Sequence, residues 1–279
     1  MARLDRLATL YVFWPLRRYG ISSEAGIPIL MYHSIANAAE TGSHPYYRTT
    51  TSPAIFADHM RLLHEQGYMT ISLHDAVKQI EAGAVSGRKQ IVITFDDGYQ
   101  DFYQNAVSAM DNYGFSATVF LPTAYIGESP KKFKGIDCLT WSQVRDLSRA
   151  GTHFGSHTVN HPQLRTLAPQ AIREEVRRSK ETIEGKLSCA TRSFAYPFAL
   201  PETDRSFKQR LRGILVEAGY ENGVSTIIGT ADQKGDRFFL KRLPVNSCDD
   251  PMFFRGKLEG AYNWLHVFQY SSKLISTKR

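Results

Sequence analysis

The stretch Ile91-Val92-Ile93-Thr94-Phe95-Asp96-Asp97-Gly98-Tyr99 decides the fold. A short apolar, β-branched run reads as a strand, and this one runs straight into two adjacent carboxylates and a glycine. In parallel α/β folds the carboxyl ends of strands are where active sites gather. Two neighbouring anions repel unless a cation or a proton separates their roles. Alone, the pair would serve equally well as a helix N-cap and a first-turn acid. Its meaning therefore depends on what the rest of the chain sets beside it.

Working outward, the same pattern recurs. Ile27–Tyr32, Ala117–Leu121, Thr152–Ser156, Ser193–Tyr196, Val224–Ile228 and Phe238–Leu243 are further strand-like runs bounded by Gly or Pro. Helical periodicity fills the gaps. Ser52 suits an N-cap with Pro53 in the first turn and Phe56, Met60 and Leu63 on one face. Thr140-Trp141-Ser142-Gln143 reads as a capping box ahead of Val144 and Leu147. Ile172, Val176 and Ile183 form one stripe, and Phe207, Leu211, Ile214 and Ala218 another. Strand followed by helix, repeated, predicts an α/β fold with a mainly parallel sheet and helices outside it. Periodicity does not choose between a closed barrel and an open sheet.

A second segment, Gly155-Ser156-His157-Thr158-Val159-Asn160-His161-Pro162, also follows a strand. Pro162 biases His161 away from helical angles, so the two histidines belong to a strand-end loop that can curl round an ion. Two imidazoles and one carboxylate leave one position of a tetrahedral zinc site open for water. The ion lowers the pKa of that water towards about 7, and the second carboxylate can take its proton. That is a constellation for metal-assisted hydrolysis. A third segment, Phe194-Ala195-Tyr196-Pro197-Phe198-Ala199, is an aromatic strand end with a rigid turn; it suits an oxyanion donor and a sugar face, or equally an apolar strand ending at a turn. Residues 36–51 form a polar loop carrying His44, Tyr46, Tyr47 and Arg48, and loops of that length are often functional.

With these segments in order, the chain resembles the polysaccharide deacetylases with a NodB homology domain, of the carbohydrate esterase type. Thr94-Phe95-Asp96-Asp97-Gly98 is similar to their first motif, and Ser156-His157-Thr158-Val159-Asn160-His161-Pro162, about 60 residues on, to their second. Phe194-Ala195-Tyr196-Pro197-Phe198 resembles the third motif of one branch, as do Ile29-Leu30-Met31-Tyr32-His33-Ser34 and Thr140-Trp141. The resemblance implies a distorted (β/α) barrel of about seven strands. It also implies metal-dependent hydrolysis of N-acetyl or O-acetyl groups on a polysaccharide or a glycan precursor. Asp96 matches the catalytic base, and Asp97, His157 and His161 match the ligands of a divalent metal, Zn²⁺ first, with Co²⁺ or another divalent ion serving as well. The backbone N–H of Phe198 matches the oxyanion donor. Tyr196 and Trp141 are expected along the substrate groove, and His33 near the site in an unassigned role.

Three positions depart from the family pattern. Ala195 stands where many members carry an arginine that holds the base, Ala199 replaces a usual glycine, and the late Leu-x-His motif that supplies the general acid has no counterpart; Arg242-Leu243-Pro244-Val245 stands about there. Among the other polar residues, His59, His64 and His74 read as surface or packing residues, Asp101 as a helix-surface acid, and His153 as a possible support for the metal ligands.

The remaining features set bounds. The chain has 279 residues, 34 Lys and Arg against 27 Asp and Glu, and 42% apolar residues. That is a globular composition, not a collagenous, disordered or disulfide-rich one. Cys138, Cys189 and Cys248 are too dispersed for a disulfide framework. The net charge of +7 is spread as alternating signs along helices, so no nucleic-acid partner is expected. Residues 1–26 read as an N-terminal segment with a short apolar run, Leu7 to Leu16, behind Arg3 and Arg6. It lacks a small-residue cleavage site, and a peripheral amphipathic helix is the expectation. Residues 27–245 form the catalytic domain and 246–279 a C-terminal helical extension. The expected location is cytoplasmic, with peripheral membrane contact through the first residues. The expected partner is an acetylated polysaccharide or oligosaccharide. Two other readings stay open: an amide or imide hydrolase of the same fold acting on a small molecule, and a catalytically impaired carbohydrate-binding module.

Overall fold

The computed structural model describes residues 3–19, 26–38, 44–84 and 89–277. Parts of the N-terminal segment (20–25) and of the polar loop (39–43) lie outside the described residues. Seven strands form a closed parallel ring: β1 (Ile29–Tyr32), β2 (Gln90–Phe95), β3 (Thr118–Leu121), β4 (His153–Ser156), β5 (Ser193–Ala195), β6 (Asn222–Ile228) and β7 (Leu240–Pro244). Neighbours in the ring are neighbours in sequence, and β7 pairs back onto β1 through Leu30 and Leu243. A two-residue strand, Met69–Thr70, is added beside the start of β2. Closure settles what periodicity left open, because each strand's backbone groups find partners on both sides and no edge remains in the ring.

Helices cover the ring. They are α1 (Pro53–Glu65), α2 (Leu73–Glu81), α3 (Trp141–Arg149), α4 (Pro169–Leu187), α5 (Arg205–Glu217), α6 (Pro251–Leu258) and α7 (Leu265–Thr277). The N-cap of α1 is Ser52, whose hydroxyl accepts from the Ile55 N–H, with Pro53 at the first position. The capping box of α3 is complete, Thr140 and Gln143 bonding each other's backbone. The N-terminal helix runs from Leu4–Ala8 through a π-helical turn, Thr9–Phe13, to Trp14–Arg18.

Side chains alternate along each strand, so every second residue enters the ring. Ile29, Val92, Phe120, Ala195, Val224 and Leu240 pack together at its N-terminal end, beneath Leu73, Ala76, Val77 and Ile80 of α2. Gly155 makes room for this layer: a Cβ there would stand 2.5 Å from the Phe120 ring and 2.9 Å from the Ser193 carbonyl oxygen. The same alternation carries Thr94 and Arg242 into the next layer, and His33, Asp96 and His157 to the C-terminal mouth.

Candidate active site

The two motifs meet at the carboxyl ends of β2 and β4. The structure brings together Asp96, Asp97, His157, His161, His33, Tyr196 and Phe198. Asp97 Oδ1 lies 3.6 Å from His157 Nε2 and 3.3 Å from His161 Nε2. Atoms bound about 2.1 Å from one tetrahedral ion stand roughly 3.4 Å apart, so these spacings fit a shared cation. The surroundings orient His157 and Asp97 for that role, whereas His161 Nδ1 is buried without a hydrogen-bond partner. His157 Nδ1 lies 2.8 Å from the Ala195 carbonyl oxygen. A carbonyl only accepts, so Nδ1 carries the proton and Nε2 keeps its lone pair. Asp97 Oδ2 accepts from the Tyr99 hydroxyl at 3.0 Å and the Lys134 ammonium at 3.2 Å, whereas Oδ1 is buried without a hydrogen bond. A buried, unsatisfied carboxylate oxygen is costly unless a cation answers it. Asp97, His157 and His161 can hold a metal ion.

Protonation states agree with that use. Burial, together with the neighbouring His157, pushes His161 down to about 3, so its ring is neutral. Burial raises the Asp97 carboxyl, but His33, His157, Lys134 and His161 outweigh it and leave the group below its ordinary value.

The backbone is bent to reach this arrangement. Among the described residues, six non-glycine positions have positive φ, and five belong to the segments that build the site: Asp97 (70°), Lys134 (51°), Thr158 (68°), His161 (53°) and Phe198 (62°). Such angles cost energy and cluster where function holds them. Pro162 denies His161 the right-handed helical region. Glu175 of α4 fixes the loop by accepting from the backbone N–H groups of Val159 and Asn160, each at 2.9 Å.

Asp96 is the free carboxylate, and it is held from across the barrel. The Arg242 guanidinium clamps it with two parallel 2.7 Å bonds, NH1 to Oδ1 and NH2 to Oδ2. Arg242 is fully buried, and also donates to the Ser225 carbonyl at 2.9 Å and to Thr94 Oγ1 at 3.1 Å. Burial raises the Asp96 carboxyl, but the Arg242 charge, with His157 and His33, holds it well below the carboxylate range. The missing arginine at position 195 is thus answered from β7, while Ala195 packs in the barrel floor. His33 Nε2 is 3.9 Å from Asp96 Oδ2. Burial lowers the His33 ring below its ordinary value, against the pull of both aspartates.

A cleft of about 410 Å³ opens over these groups. His33, Asp96, His157, His161, Tyr196 and Phe198 line it, with Tyr46, Tyr47 and Arg48 of the polar loop on one side. Lys134 reaches in from the tip of the hairpin Lys132–Phe133 and Ile136–Asp137, and Gln269 from α7. The Phe198 ring packs edge-on against His161, centroids 4.6 Å apart.

Several expected residues stand elsewhere. Trp141 does not line the cleft: the capping box turns it into the first turn of α3, where it is buried in the core. His153 opens β4 at the other end of the ring, paired with Thr118 and exposed. Four residues at about 3.3 Å each set it roughly 13 Å from His157, so it does not support the ligands. It borders a separate cavity of about 390 Å³ with His74 and Arg192. Asp101 is buried and accepts from Ser34 Oγ at 2.5 Å; it is not a surface acid. His59 is a packing residue between the Tyr32 hydroxyl and the Asp249 carbonyl, stacked on Phe254.

The family model for polysaccharide deacetylase matches residues 84–223, a span that holds all three motifs. The chain belongs to the polysaccharide deacetylase family. It is 29% identical over 222 residues to YxkH of Bacillus subtilis, a protein named for this family, covering 80% of this chain and 72% of that one. It is 20% identical over 168 residues to the poly-β-1,6-N-acetyl-D-glucosamine N-deacetylase of Staphylococcus aureus, covering 57% of this chain and 55% of that protein. The structure of the Streptococcus pyogenes deacetylase PplD in complex with acetate superposes with a TM-score of 0.74, 25% identity, 85% of this chain and 99% of that one. The chain thus spans just over half the length of the Staphylococcus relative.

Sequence alone assigns no role to Arg242, Tyr99 or Lys134. A signal for Arg242 exists: it lies two residues after Leu240 in an apolar strand, so alternation puts a charge inside the barrel.

Proposed function

We propose that the protein is a metal-dependent hydrolase that removes acetyl groups from the nitrogen of acetylated amino sugars in a polysaccharide or oligosaccharide. The observation that carries this reading is the orphaned Asp97 Oδ1 between the two histidine Nε2 atoms, next to an ionised Asp96. Asp97, His157 and His161 would hold a divalent cation, Zn²⁺ first, which would supply Lewis acidity towards a carbonyl oxygen and a water.

The protein's own groups supply the remainder. Arg242 keeps Asp96 ionised and fixes both oxygens, so Asp96 takes a proton from the attacking water. The N–H of Phe198 stabilises the oxyanion as the carbonyl carbon becomes tetrahedral. His33, beside Asp96, receives that proton and delivers it to the amine nitrogen as the carbon–nitrogen bond breaks. Tyr47 and Phe198 offer ring faces to the sugar. The Asp96–Arg242 clamp favours an enzyme over a binding module, because a module gains nothing from a buried base.

Acetate release from β-1,6-linked N-acetylglucosamine oligomers, run beside a cyclic-imide panel with metal content measured on the same sample, tests the reading. Asp96→Asn should abolish turnover and retain metal. His157→Ala should lose metal. His33→Gln should lose amide hydrolysis while sparing an activated aryl acetate, whose leaving group needs no proton. Full metal content in His157→Ala would defeat the ligand assignment, and cleavage of imides alone would reassign the substrate.

A further inference from the structure

We propose that Asn246, just beyond the last ring strand, is the positioning residue for the cleft wall that takes the sugar next to the reacting acetamide. This rests on the glycan-directed reading given above.

The wall has little structure of its own. Tyr46, Tyr47, Arg48 and Thr49 line the cleft on this side, and the regular part of the segment is a single 3₁₀ turn, Pro45–Tyr47. So short a turn has little stability by itself. Tyr47 is 73% exposed and meets Tyr46 edge-on, with ring centroids 4.8 Å apart. An aromatic face at the rim of a cleft suits the apolar side of a pyranose.

The segment after β7 holds this wall. The Asn246 side chain is buried, and its amide nitrogen donates to the carbonyl oxygens of Pro45 at 2.9 Å and Arg48 at 3.0 Å. Those carbonyls stand at the two ends of the turn. The amide oxygen accepts from the Cys248 N–H at 2.9 Å. Both amide hydrogens and the oxygen are thus used, and the reversed amide would set oxygen against oxygen twice. The Asn246 backbone is fixed as well. Its N–H donates to Asp249 Oδ2 at 3.2 Å, and the buried Lys257 ammonium donates to the same oxygen at 2.7 Å. Ser247 adds a bond from its N–H to the Thr50 carbonyl at 3.1 Å.

The strand supplies the register. The Val245 N–H still donates to the Met31 carbonyl of β1 at 3.1 Å, so the order of the ring reaches the residue before Asn246. Arg242, four residues earlier, clamps Asp96. One strand therefore sets both the base and the wall, and Asn246 fixes the spacing between them. Asn246 is 3% exposed and acts through the loop it holds. Loosening that loop weakens sugar binding and leaves the chemical step in place, which separates KM from kcat.

Steady-state acetate release from β-1,6-linked N-acetylglucosamine oligomers is the test. Asn246→Asp keeps the side-chain shape and the acceptor but loses both donors. It should raise KM about fivefold or more with kcat within about twofold of wild type. It should also speed hydrogen exchange across residues 44–48 while the ring strands stay protected. Tyr47→Ala should raise KM to a similar extent. Adding Asn246→Asp to it should change KM by less than about twofold, because the ring that Asn246 positions is already gone. Asn246→Ala takes the place of Asn246→Asp in every arm should the latter fail to fold. An unchanged KM, a fall in kcat alone, or effects that multiply in the double variant overturns the proposal. If wild type releases no acetate, the hydrolytic reading fails by itself, and the calorimetric Kd for the same oligomers replaces KM. No binding by wild type, or equal Kd in the folded variants, then overturns the positioning role.

Discussion

Replacing Arg242 by methionine removes the guanidinium from the inside of the barrel and leaves Asp96 in place. Arg242 is completely buried and the Asp96 side chain is 3% exposed, so water cannot screen the charge left behind. Breaking a buried ion pair from one side costs about 3–5 kcal/mol. For a chain of this length that lowers the melting temperature by roughly 6–20 °C. Asp96→Asn in the same background removes the stranded charge. The double variant should then regain part of the loss, with a coupling of about 2 kcal/mol in a double-mutant cycle. Calorimetry or circular dichroism on the four proteins measures this, and acetate release on the same samples should find Arg242→Met inactive. A melting temperature for Arg242→Met within about 2 °C of wild type, or a cycle additive within ~0.5 kcal/mol, would show that the clamp does not hold the base.

Other outcomes follow from the same contacts. Tyr99→Phe removes the neutral donor that fixes Asp97 Oδ2 and should weaken metal affinity roughly tenfold or more, read by competition with a chromophoric chelator. The Asp96 carboxyl lies below its ordinary value of 3.8 in the folded chain. Its stabilisation is therefore complete above that value and lost as pH falls through the lower folded one. Denaturant midpoints taken near pH 6 and near pH 3 should drop less in Asp96→Asn than in wild type. Gly155→Ala should cost about 1–3 kcal/mol, seen as a lower melting temperature, because the Ser193 carbonyl and the Phe120 ring leave no room for a methyl group.

All seven ring strands could be read from sequence because each is a short apolar run punctuated by glycine or proline, and their ends shift by only a residue or two. Ring closure was not legible in periodicity, since it depends on β7 meeting β1, a pairing across more than two hundred residues. That Asp97, His157 and His161 come together was legible because they follow strand ends within two compact motifs. Arg242 was not, because its role arises from a partner 146 positions away. Trp141 misled for the opposite reason: a local rule, the capping box, governs its direction, and that direction is inward. Lys134 and Tyr99 are ordinary surface-loop types whose meaning appears only when Asp97 turns its second oxygen towards them.

The clamp between β2 and β7 also sets an order of assembly. Asp96 leaves the ribosome long before Arg242, so the nascent barrel holds an uncompensated acid at its mouth until the closing strand inserts. A chain halted before residue 242 has the segments of Asp97, His157 and His161 and still lacks the partner that pairs Asp96. Insertion of the final strand thus both completes the wall and brings the charge that pairs the acid inside it.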